Sequence, residues 1–540
     1  MRRFSSISWS ALGIATVLAS PILCVLYLAF TSPSDVWVHL YETVLGDYVS
    51  HSLVLMVGVT LGTLLLGVPT AWLTANCQFP MHRICNWFLV LPMAMPAYIV
   101  AYAYSGMLGD FGPVQTWIRN TFEVQYGQYW FPDIHSVGGA IIVLSLVLYP
   151  YVYLLARSAF LDQRHQFNAV AQTLGSSVWR NIWKVALPLA RPAIAAGVLL
   201  ALMETMSDYG TVQYFGVSTF TTGIFRTYYG FGDESATAQL SLVLLVVVLV
   251  LYAMEKRSRK GMSFHALEDS GTTSAPLKLR SWNAGLALLL CLLPCFLGFI
   301  LPFTVLFLWG LESTEWFDSS FMELSVNSIM LASLAAMITV LLALVLCYAA
   351  RLHRSWWITL SIGIASLGYA LPGTIIAIGV IVLLTALDHS VVTWIASLFG
   401  IDSGLLLSGS LVALVFAFAV RFMTIAVGSI SSGMMTIKPT LDASARLLGR
   451  TPWQVVRQIH APLLRPSVLT AALIVFVDVM KELPATLILR PFNFNTLSVR
   501  AYEMASDERL YDAGPSALLM VLAGLIPVLL LNRNIIRNSQ

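Results

Sequence analysis

Charged side chains are scarce in this 540-residue chain. Asp, Glu, Lys and Arg together make up 11% of the residues, whereas soluble globular proteins carry about 25%. A set of about three or four soluble domains, which this length would otherwise suggest, is excluded because too few charges remain to cover their surfaces. Hydrophobic residues make up 58% and the mean hydropathy is +0.79. We therefore expect an all-α integral membrane protein, because in lipid a helix satisfies its own backbone polar groups.

Cysteines and catalytic motifs are also scarce. The six cysteines include no Cys-x-x-Cys pair, so no disulfide framework or zinc site is expected. The sequence contains no Gly-x4-Gly-Lys-Ser/Thr segment, and its nine histidines form no His-Glu-x-x-His motif. We expect no enzyme and no permanently bound cofactor, and we assign any ATP hydrolysis to a partner subunit. The net charge of only +3 gives no reason to expect a nucleic-acid partner.

Long apolar runs are abundant. Twelve of them are long enough to cross a bilayer, and they form two groups of six, near residues 9–30, 52–75, 87–108, 137–156, 192–214, 235–253, 284–309, 327–350, 357–387, 407–427, 466–489 and 515–532. If the N-terminus is cytoplasmic and the runs alternate, inside segments hold 24 of the 30 Lys and Arg. Outside segments hold 18 of the 27 Asp and Glu. Because positive loops stay in the cytoplasm, both termini are predicted to be cytoplasmic.

The two groups of six are related as an internal repeat. Residues 168–228 align without gaps on residues 442–502, with 15 identities in 61 positions, and residues 51–96 align more weakly on residues 327–372. An even number of spans per copy gives both copies the same orientation, so we expect two tandem six-helix repeats in a parallel pseudo-twofold arrangement. The predicted boundaries are 1–253 for the first domain, 254–281 for a cytoplasmic linker and 282–540 for the second domain.

The loop between spans four and five of each copy has a repeated spacing. A short Ala- and Leu-rich helix is predicted to end at Gly175 or Gly449, each suited to a left-handed C-terminal position. A second helix follows, for which Thr451 and Pro452 fit an N-cap and first turn. Pro188 and Pro462 are predicted to end that helix before the next span. The result is a helix–turn–helix projection on the cytoplasmic side, present twice.

This spacing resembles the EAA signature (E-A-A-x3-G-x9-I-x-L-P) of the binding-protein-dependent permeases of the MetI-like family. The resemblance implies that both loops are coupling loops seated on a cytoplasmic ATPase, through Ala169, Ala171, Gly175, Pro188, Ala443, Ala445, Gly449 and Pro462. The family Glu is replaced by Ala169 and by Ala443. Asn168 and Asp442, one position earlier, are candidates to replace its polar contact.

Longer segments sharpen the resemblance. LPMAMPAYIVAYAY (91–104), SDYGTVQYFGVSTFTTGIFRTYYG (207–230) and VMKELPATLILRPFNFNTLSVRAYEMA (479–505) resemble the fused permeases of ferric-iron (Fbp-type) importers. This implies an inner-membrane protein that translocates Fe(III) from a periplasmic iron-binding protein, driven by two copies of an ABC ATPase. Thiamine or another small solute is an alternative cargo. A twelve-span secondary transporter is the alternative class, although it would need no coupling loops.

Charged residues inside the predicted spans are candidates for a substrate path or gate, because charge in a membrane is costly. They are Glu204, Asp208, Asp478, Lys481 and Glu482, with Tyr98 and Tyr102 as further oxygen donors. Carboxylate and phenolate oxygens suit a hard cation, so transient Fe(III) contact is expected at Glu204, Asp208, Asp478 and Glu482. Alternatively, these acids form structural ion pairs with Lys481, Arg226 or Arg500.

Overall fold

Helices dominate the computed structural model, which describes residues 6–31, 34–166, 178–260, 276–352, 355–399 and 404–537. In chain order they are α1 (Ser6–Thr31), α2 (Asp35–Thr43), α3 (Leu45–Asn76), α4 (His82–Phe88), α5 (Ala97–Leu108), α6 (Pro113–Phe122), α7 (Val137–Gln166), α8 (Val178–Asn181), α9 (Leu187–Ser207), α10 (Gly210–Tyr214), α11 (Phe220–Arg226), α12 (Glu234–Lys260), α13 (Trp282–Cys295), α14 (Leu301–Glu312), α15 (Ser319–Leu352), α16 (Trp356–Ala365), α17 (Gly373–Leu387), α18 (Thr393–Leu398), α19 (Leu411–Thr436), α20 (Pro439–Leu447), α21 (Pro452–Val455), α22 (Ala461–Lys481), α23 (Pro484–Leu489), α24 (Leu497–Ser506) and α25 (Leu510–Arg537).

Short irregular elements join these helices. Turns of π-helix occur at Ile182–Ala186, Thr227–Phe231, Phe296–Ile300, Asp388–Val392 and Val456–His460, and 3₁₀ turns at Leu91–Ala94, Glu315–Phe317 and Gly368–Ala370. Two strands of two residues each, Cys77–Gln78 and Leu277–Lys278, pair in parallel.

The described residues contain eleven helices that are long and apolar enough to cross a membrane. A bent pair, His82–Ala94 with Ala97–Phe122, raises the number to twelve if it is counted as one span. The prediction of an all-α membrane protein with about twelve spans is confirmed.

Four of the twelve spans are not the continuous helices that the sequence predicted. The third bends by 92° at the Met95–Pro96 step. The ninth is interrupted before Pro372, because proline offers no N–H to continue the helix. The fifth and eleventh end at Ser207 and Lys481, where the chain becomes extended at the following acid.

One compact unit comprises residues Met1–Trp37, Thr227–Leu242 and Trp316–Arg500. In it α15 packs against α19 and α22, while α1 packs against α16 and α17. A side chain on Gly379 would collide with the carbonyl of Pro21. Small residues where two helices cross let the helices approach closely, and this close packing is what drives transmembrane helices to associate.

The other compact unit comprises residues Val38–Arg226, Val243–Glu315 and Ala501–Gln540. Here α3 and α9 pack against α7, and α14 packs against α25. A Cβ on Gly514 would lie 2.9 Å from the backbone nitrogen of Gly310, so α14 and α25 touch through their glycines.

Each compact unit therefore takes its first long helix from the opposite half of the sequence. Helix α1 belongs with the helices of residues 316–500, and α13 and α14 belong with the helices of residues 38–226. The boundaries 1–253, 254–281 and 282–540 describe the repeat along the chain and remain a prediction about its domains.

Candidate functional site

The second coupling loop begins with α20, which ends in a left-handed glycine. Gly449 has φ +76°, and the N–H of Arg450 donates to the carbonyl of Ala445 at 3.0 Å. This bond closes a Schellman motif, in which only glycine avoids Cβ strain. The predicted helix end at Gly449 is confirmed. Ala445 is buried, whereas Ala443, at the position of the family Glu, is exposed.

The predicted cap of the next helix is also present. Gln454 donates its N–H to the hydroxyl of Thr451 at 3.4 Å, and the N–H of Thr451 donates to the side-chain oxygen of Gln454 at 2.9 Å. These reciprocal bonds form a capping box. In the sequence, the Thr-x-x-Gln spacing indicates this capping box, in addition to the pair Thr451 and Pro452.

The prediction that Pro188 and Pro462 end a helix is wrong. In both copies the chain continues through a π-helical turn, Ile182–Ala186 or Val456–His460, directly into α9 or α22. Each proline lies in the first turn after the π segment, where the wider turn accommodates the missing N–H. The second half of each loop and the following span are therefore one continuous helix.

The first coupling loop is described only in part. Ala169, Ala171 and Gly175 lie outside the described residues, and so does Asn168. Pro188 occupies the same place relative to its π turn as Pro462 does.

Large apolar side chains project from the second loop. Leu447 and Leu448 are 88% and 81% exposed, and Leu441 is 43% exposed. They stand beside charged and polar residues of a loop that the positive-inside pattern assigns to the cytoplasm. Exposed leucines grouped in this way are typical of a surface that another protein covers.

Asp442, on the same helix α20, is held by Arg351 and His460, and we name these three residues the Asp442 cluster. Arg351 donates from Nε and Nη2 to one oxygen of Asp442 at 3.1 and 3.0 Å, and His460 Nε2 donates to the other at 2.7 Å. Arg351 also donates to the carbonyls of Met434 and Ile437 at 2.9 and 3.1 Å, at the C-terminal end of α19.

Charge and hydrogen bonding keep this carboxyl ionised. Burial alone would raise the pKa of Asp442, but the hydrogen bond from His460 and the charge of Arg351 outweigh it and lower the pKa below its usual value. The side chain of His460 is only 4% exposed. Asp442 therefore faces its own compact unit.

At the end of α22, the carboxylate of Glu482 is enclosed by donors. It accepts from the backbone N–H groups of Ala485 and Thr486 at 3.0 and 3.2 Å, in the first turn of α23. Arg421 Nη1 donates to it at 3.0 Å. Gly373 packs so closely that a Cβ there would collide with both Arg421 and Glu482.

The 24 Lys and Arg that the sequence places in inside segments include Arg421, and for this residue the prediction is wrong. It lies in the middle of the span Leu411–Thr436, because a buried carboxylate partner compensates its charge. The available signal was an arginine within the apolar run 407–427. Lys481, Arg226 and Arg500 were the pairing partners considered from the sequence, and the ion pair of Glu482 is instead made by Arg421.

At the end of α9, Asp208 occupies the repeat position equivalent to Glu482. It accepts from the backbone N–H groups of Thr211 and Val212 at 3.0 and 3.2 Å, and from the Thr211 hydroxyl at 3.0 Å. Among the described residues no Lys or Arg lies within ion-pair distance of Asp208. The local helix turn thus holds this acid, and Glu204 lies one turn earlier, half-buried.

Several tyrosines lie close together in the compact unit that contains Asp208. Tyr102 is completely buried and its ring lies 4.6 Å from that of Tyr214 and 5.7 Å from that of Tyr98. The hydroxyls of Tyr209 and Tyr502 are 3.5 Å apart. The hydroxyl of Tyr102 has no hydrogen-bond partner among the described residues. The structure therefore brings Tyr98 and Tyr102 together in one aromatic cluster.

The other residues predicted to line a substrate path or gate are found in both compact units. Asp478 and Lys481 lie on α22, half-buried, in the unit of Glu482, whereas Glu204 and Asp208 lie in the other unit. In the described ranges, no three His, Cys, Asp or Glu side chains converge as they do in a metal site.

The chain belongs to a family of membrane transport components. The model of the family described as "Binding-protein-dependent transport system inner membrane component" matches it twice, over residues 63–263 and 343–536. The two matches confirm the tandem duplication and the resemblance drawn from the coupling loops. The chain is thus a multi-pass permease of the ABC type and not an enzyme, and the secondary-transporter alternative is excluded.

Curated relatives transport different cargoes. The chain is 28% identical to the Fe(3+)-transport system permease protein FbpB 2 of Haemophilus influenzae over 92% of its own length and 91% of that protein. It is 26% identical to the molybdenum transport system permease protein ModB of the same organism over 40% of this chain and 93% of the relative. It is 22% identical to the sulfate transport system permease protein CysT of Escherichia coli over 35% of this chain and 67% of the relative.

Proposed function

We propose that this chain is the fused inner-membrane permease of an Fe(III) importer, receiving iron from a periplasmic binding protein. The supporting observation is the similarity to an Fe(3+) permease, which extends over both halves, whereas the similarity to molybdenum and sulfate permeases covers less than half of the chain. Two cytoplasmic ATPase subunits would dock on the two coupling loops, and both termini would be cytoplasmic.

The helix breaks favour a cation over an oxyanion as cargo. N–H groups at a helix N-terminus attract anions, but the first-turn N–H groups of α10 and α23 are already bonded to Asp208 and Glu482. The aromatic cluster adds the phenol oxygens of Tyr98 and Tyr102 near Asp208. Hard cations such as Fe(III) prefer carboxylate and phenolate ligands, so we infer transient contact with iron at Glu204, Asp208, Asp478 or Glu482.

Uptake into proteoliposomes tests the cargo. The chain is reconstituted with its ATPase and binding protein, and labelled Fe(III), molybdate, sulfate and thiamine are supplied separately. We expect ATP-dependent uptake of iron that requires the binding protein. Uptake of molybdate, sulfate or thiamine without iron would overturn the iron assignment and leave the permease class intact.

Substitution of the exposed leucines tests ATPase docking. Leu447→Asp with Leu448→Asp should abolish co-purification of the ATPase, because charge on a covered apolar surface opposes association. Phe492→Asp is the matched control, since Phe492 is 94% exposed in a segment predicted to lie on the opposite side of the membrane. Equal ATPase binding by all variants would show that the second loop is not the docking surface.

A further inference from the structure

The Asp442 cluster joins one exposed loop helix to three membrane-spanning helices. Asp442 is on α20, Arg351 is in the last turn of α15, and His460 immediately precedes α22. Through its bonds to Met434 and Ile437, Arg351 also holds the end of α19. The side chains of Arg351 and Asp442 are 13% and 21% exposed, so solvent screens their attraction less than on an open surface.

We propose that Asp442 is a positioning residue that transmits movement of the second coupling loop to α15, α19 and α22. This inference rests on the proposed function, because it needs an ATPase that moves the loop. Asp442 acts through Arg351 and His460 and touches neither ATP nor cargo. It does not replace the family Glu as a partner contact, since its carboxylate points into the permease.

The two sides of α20 differ in exposure. Asp442 is bound to Arg351 and His460, whereas Leu447, five residues later and therefore about 140° further round the helix, is 88% exposed. Leu448, the residue that follows α20, is 81% exposed. A partner can therefore push on the leucines while the carboxylate remains bound to Arg351 and His460.

Two of these helices are also joined at a second place, near the middle of α19 and at the end of α22. Arg421 on α19 pairs with Glu482, the residue that follows α22. Helices α19 and α22 are thus connected by the Asp442 cluster at the loop end and by Arg421 and Glu482 at the break. Two packed helices that are joined at two separate places move together, which carries a displacement of the loop to the helix break after α22.

The three residue types of this cluster are not repeated at the equivalent positions in the first half of the sequence. In the repeat alignment Asp442 corresponds to Asn168, His460 to Ala186 and Arg351 to Ala75. All three cluster residues are replaced by other residue types in the first copy of the repeat, which is expected if the three act as one unit. The inference therefore concerns the second coupling loop alone and makes the two loops mechanically unequal.

The test measures coupling in the complete reconstituted complex. Labelled Fe(III) transported per ATP hydrolysed is compared for wild type, Asp442→Asn and Asp442→Glu, with ATPase co-purification recorded for each. We expect Asp442→Asn to keep ATPase binding and hydrolysis within about twofold while transport per ATP falls about tenfold, a typical coupling effect. Asp442→Glu should recover most of the ratio, because it restores the charge.

Matched variants cover the other outcomes. Arg509→Ala removes an arginine that pairs with Asp512 and Glu315 in the compact unit that does not contain Asp442, and should leave the ratio unchanged. If Asp442→Asn gives too little folded protein, Arg351→Lys is measured instead; it keeps the charge but loses the forked contact, and should lower the ratio several-fold.

Three results would contradict the inference. An unchanged ratio in Asp442→Asn or Arg351→Lys overturns it while the proposed function stands. Parallel loss of ATPase binding and transport assigns Asp442 to docking and overturns it too. A wild-type chain that binds no ATPase overturns both the proposed function and the inference.

Discussion

The two helix breaks of this permease occupy equivalent positions in the repeat but are stabilised differently. At each break an acid, Asp208 or Glu482, accepts hydrogen bonds from the first turn of the short helix that follows. Glu482 also pairs with Arg421, and Gly373 packs directly against that pair. Asp208 is held by its own turn and lies near an aromatic cluster.

The difference shows that a duplicated element can keep its local geometry and change its long-range role. The hydrogen bonds to N–H groups are made within four residues in both copies, so either acid can end its helix unaided. The ion pair reaches across 61 residues of sequence and locks one break to α19. We infer that the break at Asp208 is the one better suited to respond to cargo, because fewer long-range contacts must change there.

Removal of Glu482 should have the largest effect on stability. Glu482→Ala leaves the guanidinium of Arg421, which is only 16% exposed in the middle of a membrane span, without its partner, which costs about 3–5 kcal/mol. The expected result is a large fall in the melting temperature of the purified protein, followed by tryptophan fluorescence. Phe492→Ala, at a residue that is 94% exposed, serves as the control and should change stability by about 0.5 kcal/mol or less. Equal melting temperatures for Glu482→Ala and the control variant would show that the ion pair with Arg421 does not stabilise this helix break.

Replacement of both partners should cost less than removal of one. In Arg421→Met with Glu482→Gln no charge remains buried, and the amide oxygen of Gln can still accept from the first turn of α23. We expect a loss of about 1–2 kcal/mol. A complete double-mutant cycle, measured with the two single variants, should give a coupling energy above about 1 kcal/mol. Strict additivity would mean that the two side chains do not stabilise each other.

Changes at Asp208 should separate stability from transport. Asp208→Ala removes a local cap and should cost about 1 kcal/mol, whereas Asp208→Asn retains an acceptor and should cost a few tenths. Iron uptake by Asp208→Asn should nevertheless fall about tenfold, equivalent to about 1.4 kcal/mol, because a neutral amide is a weak ligand for Fe(III). Normal uptake by Asp208→Asn would remove this residue from the cargo path.

Acidification should have the smallest effect on stability. It tests the Asp442 cluster, which joins α19 and α22 at the loop. The pKa of Asp442 is lower in the folded chain than in the unfolded chain, so its stabilisation is complete above the ordinary Asp pKa of about 3.9. It is lost only as the pH falls through the lower folded pKa. The difference in melting temperature between wild type and Asp442→Asn should therefore not decrease between pH 7 and pH 5. A difference that vanishes by pH 5 would contradict the assignment.

Local features of the coupling loop could be predicted from sequence. The left-handed Gly449 and the cap at Thr451 depend on backbone geometry within a few residues, and both are present. The role of Pro462 was wrong because its helix can absorb a proline through a π turn, a choice that the residue type alone does not determine. Arg351 and His460 gave no signal, since each lies at a span end where a basic residue is ordinary.

The sequence by itself determined that the chain crosses a membrane about twelve times, that it is duplicated and that it carries a pair of EAA-like loops. Those properties follow from hydropathy, charge asymmetry and short-range spacing. Only the tertiary structure decided that Glu482 pairs with Arg421. It also decided that the first long helix of each half of the sequence packs with helices of the other half. The physical reason is that lipid is as apolar as a helix surface, so hydropathy places a helix in the membrane without choosing its neighbours. Close packing at glycines and buried charge pairs make that choice.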